Sequence, residues 1–230
     1  MLYMPFVPLY LFLTLPAMIF AMWAQHRVTS SFKKYSQQRT RNGITGAEAA
    51  REVLQHCGVH NVQVERVKGN LTDHFDPRTN VIHLSDSVYD SPSVAAAGIA
   101  AHEAGHAVQC VKAYTPMKLR AAIIPVTNIG SKLSIPLVIL GMILEMTGLI
   151  NIGILLFGVV VVFQLVTLPV EWNASRRAVT VLGESGVLHK DEIPATKKVL
   201  SAAALTYVGA LAVSLAQLIR LISMSQRRRR

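Results

Sequence analysis

Charge is scarce in this chain. Only 16% of its 230 residues are charged, below the quarter or so usual for soluble domains. Acids are rarer than bases, 13 against 23. A uniformly soluble domain does not fit that composition. Cysteine is nearly absent too. Cys57 and Cys110 are the only two, which is too few for a disulfide framework, and their spacing suits no zinc ribbon. They read as reduced thiols packed in a cytosolic domain. No internal repeat, helix-turn-helix pattern or aromatic RNA-binding motif occurs. The net charge of +10 therefore has no nucleic-acid partner to explain it.

What the chain has instead is apolar sequence, 51% of it, gathered at 2–24, 121–170 and 199–222. Residues 26–118 keep the alternation of a globular domain. This division predicts membrane segments around a folded domain. The basic residues flank the apolar runs. Arg27, Lys33, Lys34, Arg39 and Arg41 follow the first. Arg176, Arg177, Lys190, Lys197 and Lys198 follow the stretch ending at 170, and Arg227 to Arg230 close the sequence. Such clusters mark cytoplasmic loops beside anionic headgroups. The first run lacks the basic start and small-residue cleavage site of a signal peptide. It reads as a retained anchor with its N-terminus outside.

Local patterns place the elements. After a basic linker ending at Asn42-Gly43, Thr45 and Glu48 form a capping box for a helix over about 46–57, with Ala50, Val53, Leu54 and Cys57 on one face. Residues 61–67 and 81–84 read as short strands, with a turn at Asp76 to Asn80. Ser91-Pro92-Ser93 opens an Ala-rich helix to about Val111. Residues 131–149 and 150–170 read as a hairpin of two spans joined around Glu145 to Asn151, the entry over 121–130 being broken by Pro125 and Asn128. Outside-in for the first span places the soluble domain and 172–198 in the cytoplasm. A fourth crossing by 199–222 would put the terminal arginines outside, so the sequence leaves that crossing open.

The Ala-rich helix carries His102-Glu103-Ala104-Gly105-His106. Residues four apart share a helix face, so His102 and His106 can aim at one ion. Glu103 reaches the ion's edge, placed as general base toward its water. This is zinc-hydrolase geometry. Ala104 and Gly105 are small, as expected where another backbone comes close. Downstream, Glu171 borders the run Leu165 to Val170. A metal gives that carboxylate a reason to be there, and an interfacial glutamate in water is the competing reading.

Three runs carry a resemblance: Leu71-Thr72-Asp73-His74-Phe75-Asp76-Pro77-Arg78-Thr79, Ala100 to Ala107, and Leu168-Pro169-Val170-Glu171-Trp172-Asn173-Ala174-Ser175-Arg176-Arg177-Ala178. In this order they resemble the neutral zinc metallopeptidases of bacterial membranes, the YugP-like membrane proteases. That family is distantly similar to the HtpX-like and prenyl-protein endopeptidases. The resemblance implies Zn²⁺ held by His102, His106 and Glu171, with Glu103 catalytic. Those distant relatives carry an aspartate four residues after the ligand glutamate, orienting a ligand histidine. Ser175 stands there instead, and Asn173 also departs from the expected aspartate. His74 and Arg177 are candidate transition-state stabilisers. His83 reads as a strand side chain and Cys110 as core.

The expected fold is mainly α with a small β element. Multi-pass membrane helices accompany a zincin-like cytoplasmic domain carrying the His-Glu-Ala-Gly-His helix. The expected segments are an anchor at 1–25, the zincin-like domain at 26–120, two spans at 121–171, a cytoplasmic stretch at 172–198 and the last apolar segment with its tail at 199–230. The expected activity is a zinc metalloendopeptidase of the cell membrane, acting on membrane-associated protein or peptide beside the lipid bilayer. A site-2-type intramembrane protease and a non-catalytic zinc-binding membrane scaffold are the competing readings.

Overall fold

A computed structural model describes residues 10–227. The start of the expected anchor, 1–9, and Arg228 to Arg230 lie outside the described residues. One π-helical turn, Tyr10–Thr14, leads into α1 (Leu15–Tyr35). There follow α2 (Gly46–His56), β1 (Gln63–Val67), β2 (His74–Asp76), β3 (Val81–Ser85) and α3 (Val94–Val111). Three long helices complete the chain: α4 (Thr115–Ile143), α5 (Thr147–Glu184) and α6 (Ile193–Arg227). The chain forms two compact units. One comprises Gln25–Lys118 with Pro169–Ala204, and the other takes in the residues up to Ala24, Leu119–Leu168 and the chain from Leu205.

The first of these contains the sheet. Its strands run in the order β1-β3-β2. β1 pairs parallel to β3 with Gln63 opposite Val81, and β2 pairs antiparallel with His74 opposite His83. The capping box forms as the sequence predicts: the Thr45 side chain accepts from the Glu48 amide, and the Glu48 carboxylate accepts from the Thr45 amide at 2.8 Å. Its strength lowers the pKa of Glu48, the Thr45 backbone bond being the main cause. α2 buries Ala50, Val53 and Leu54 against Ile82 and Leu84 of β3 and the alanine face of α3. Each large aliphatic buried this way contributes about 1.5–3 kcal/mol. Alanines at 97, 100, 101 and 104 keep α3 slim, so neighbours approach its axis.

Two local expectations change. Cys110 is exposed rather than core, because it sits in the last turn of α3 next to the exposed Val111. Cys57 is half-buried and packs on the core. The basic stretch before α2, expected as a linker, is tied down. The buried carboxylate of Glu192 accepts from the amides of Arg41 at 3.0 Å and His189 at 2.8 Å. Asn42 Nδ2 donates to the carbonyls of Gly186 and Val187.

The other unit is helical. α4, α5 and α6 are each long and apolar enough to cross a membrane. α4 is continuous across the segment expected to be broken, with Pro125 and Pro136 inside it. Spanning helices tolerate proline where neighbouring groups compensate. The turn to α5 takes only three residues, with Glu145 at φ +57°. A Cβ on Gly153 would lie 2.7 Å from the carbonyl oxygen of Ser134, so α4 and α5 meet backbone to backbone. Val138, Ile150 and Leu221 form the shared core, while Ile143 and Leu155 point outward. α5 does not stop at Glu171 but continues to Glu184.

Candidate metal centre

α3 supplies two imidazoles from successive turns of one face. Its start is fixed by Ser93, whose side chain accepts from the Ala96 amide at 3.2 Å. α5 comes against it at Gly105, where a Cβ would sit 2.8 Å from the Ala174 carbonyl oxygen. Only glycine allows that approach, and the approach puts Glu171 and Ser175 beside the histidines.

The distances are those of a metal site. Glu171 Oε2 lies 3.2 Å from His102 Nε2 and 3.4 Å from His106 Nε2. All three ligand atoms lie within 4.8 Å of one another. A tetrahedral ion with bonds of roughly 2.0–2.1 Å separates its ligands by about 3.3 Å, so the donor set fits zinc. Both imidazoles are oriented from behind. His102 Nδ1 meets Ser175 Oγ at 3.0 Å, and His106 Nδ1 meets Gln109 Oε1 at 3.0 Å.

The Gln109 bonds fix their own direction. Arg177 Nε donates to Asn173 Oδ1 at 2.7 Å, which identifies that atom as oxygen. Gln109 Nε2 donates to the same oxygen at 3.0 Å and to the Val170 carbonyl at 2.8 Å. Its Oε1 must therefore accept, and His106 Nδ1 carries the proton. That leaves Nε2 as the ligand atom, the arrangement typical of metal-bound histidine. Burial disfavours the charged form of His106. The Glu171 hydrogen bond and the Glu103 charge outweigh it and raise the pKa.

Residues 10–226 match the family described as "Putative neutral zinc metallopeptidase". The chain belongs to this family. A curated relative, "Putative membrane protease YugP" of Bacillus subtilis (strain 168), is 46% identical over 214 residues, covering 93% of this chain and 95% of the relative. No solved structure matches.

Apart from Leu168, the three runs of the zinc metallopeptidase resemblance lie in one unit. Asp73 of the first run accepts from the Ser85 amide at 2.7 Å and from Ser85 Oγ at 3.0 Å. Burial, with a contribution from the nearby Glu103 charge, pushes the Asp73 carboxyl up against the effect of those bonds. Glu103 is half-buried on α3, with its charge felt at both Asp73 and His106. His74 is exposed on β2, its Nδ1 2.9 Å from the Thr72 carbonyl and its ring 4.9 Å from that of His83. Arg177 is held by Asn173.

Gln109, Asn173 and Asp73 are not expected at the site from the sequence, and the structure places all three near it. Gln109 lay three residues beyond His106, a helix neighbour, and a fully buried amide needs partners. That signal was available. The Asn173 link depends on packing between helices and was not. Ser175, which departs from the aspartate expected from the resemblance, lies with its Oγ 3.0 Å from His102 Nδ1.

Proposed function

We propose that this protein is a membrane-bound zinc metalloendopeptidase with a zincin-like domain, its active site at the cytoplasmic face. The observation that carries the reading is the spacing of the two Nε2 atoms from Glu171 Oε2, 3.2 and 3.4 Å, with both Nδ1 atoms already engaged. His102, His106 and Glu171 would hold the ion. When bound, zinc supplies a Lewis acid and lowers the pKa of a coordinated water toward neutrality. Glu103 takes the water proton as the nucleophile attacks the peptide carbonyl and returns it to the leaving amine. β2 is an edge strand packed against α3, suited to pair with an extended substrate. His74 or Arg177 would donate to the oxyanion.

The basic clusters support a cytoplasmic site, and three candidate spans support residence in the cell membrane. The metal helix packs on a sheet and on α2 in a shared core, which weighs against a site-2-type arrangement. A scaffold would have no use for Glu103 beside its metal. The test is Glu103→Gln in purified full-length protein with an unfolded or membrane-associated protein substrate. Zinc content should stay near one per chain, and chelator-sensitive turnover should fall by about 10²–10⁴-fold. His102→Ala, His106→Ala and Glu171→Ala should each lose most of the zinc. A Glu103→Gln variant as active as wild type would remove the base from the mechanism.

A further inference from the structure

A concavity lies in the unit that carries the metal centre, in a groove between α5 and α6. Its volume is about 250 Å³, below the roughly 300–1,000 Å³ of a drug-sized site. Trp172 and Arg176 from α5 and Lys197, Leu200 and Ser201 from α6 define it, with Ser175 and Thr180 adding hydroxyls. No acidic residue lines it. Arg176 and Lys197 are exposed. Among the described residues, neither forms an ion pair with a carboxylate. Two unpaired cations over an apolar floor select an anion with an apolar continuation.

The position narrows the class further. α5 passes out of the apolar unit at Leu168–Pro169, and α6 returns to it at Ala204–Leu205. Trp172 and Ala204 are thus within about one turn of those crossings. The ends of apolar spans lie at headgroup depth, where tryptophan and basic side chains concentrate. Trp172 is 66% exposed, which leaves its ring available to the interface. Basic pockets between membrane helices hold phospholipid headgroups.

We propose that this groove binds the phosphodiester headgroup of an anionic phospholipid. Arg176 and Lys197 contact the phosphate, the Ser201 and Thr180 hydroxyls serve its remaining oxygens, and the glyceryl end lies along Leu200 toward Trp172. The groove contains none of the three metal ligands, though Ser175, which lines it, also bonds His102 Nδ1.

The two tryptophans, Trp23 and Trp172, make a direct test possible. In full-length Trp23→Phe protein in neutral detergent, Trp172 is the sole reporter. Phosphatidylglycerol with brominated acyl chains should quench it at a concentration at least about tenfold lower than brominated phosphatidylcholine. Arg176→Gln with Lys197→Gln should abolish that preference, and Arg176→Lys with Lys197→Arg should retain it. Lys190→Gln with Lys198→Gln removes equal charge outside the groove and should leave it intact. Equal quenching by the two lipids, or loss of the preference in the Lys190/Lys198 control, would overturn the assignment. Displacement of phosphatidylglycerol by equimolar inorganic phosphate or by a soluble acidic peptide would also overturn it, giving the groove to that anion.

Discussion

Gln109 is the residue on which the orientation of His106 turns. It is fully buried and makes three directed bonds, to His106, Val170 and Asn173. Gln109→Met keeps the volume and removes all three. Loss of such an outer partner costs about 10–100-fold in metal affinity, so zinc should pass to a competing chelator at correspondingly lower chelator concentration. Ser175→Ala should weaken zinc in the same direction by freeing His102 Nδ1. Ser175→Asp should restore or exceed wild-type affinity, because a carboxylate accepts the Nδ1 proton more strongly than a hydroxyl. A Ser175→Asp protein no better than Ser175→Ala would show that the 3.0 Å contact does not orient the ring.

Elements bring these residues to their places, and the tightest constraint is α3 against α5. Gly105→Ala would push a methyl into the Ala174 backbone. Overpacking of that kind costs about 1–3 kcal/mol, and the strain falls on the turn bearing Glu171. Lower thermal stability and weaker zinc should therefore appear together. Thr45→Ala removes the α2 cap and should cost about 1 kcal/mol. The folded pKa of Glu48 is depressed, chiefly by the Thr45 backbone bond. Its contribution is therefore full above the unfolded pKa and lost as pH falls through the folded value, so the wild-type advantage over Thr45→Ala should shrink in acid. Denaturant melts at neutral and acid pH would check this. α2 and α3 were legible in the sequence to within a residue or so, since capping and periodicity are local. β2 is not legible as a strand, because three residues carry no alternation. The continuity of α4 through two prolines was equally illegible, since proline reads locally as a break.

Over the whole molecule, the expected arrangement is a membrane protein with its metal centre in the cytoplasm. Cys57→Ala, Cys110→Ala protein provides a background for labelling intact cells from outside. A membrane-impermeant reagent should reach Thr147→Cys at the α4–α5 turn and miss Asn70→Cys and Lys190→Cys. External labelling at position 70 would invert the orientation. α6 meets the length and composition of a span. A crossing would leave the terminal arginines outside, so a cysteine added after the last residue would report which tendency prevails, span formation or basic residues inside.

The sequence by itself determined the local half of this site. His102, Glu103 and His106 are set by helical period, the slim face of α3 by its alanines, and the opening of α2 by a four-residue box. The family, too, was present in three short runs. Only the tertiary structure decided which atoms meet. His102 and Glu171 are 69 positions apart, and Gln109 and Asn173 are 64 apart. No periodicity spans that distance. Contacts of that kind follow from how closely two helices pack. Here the packing depends on a single missing side chain at Gly105, which brings α5 near enough for one carboxylate to reach both imidazoles.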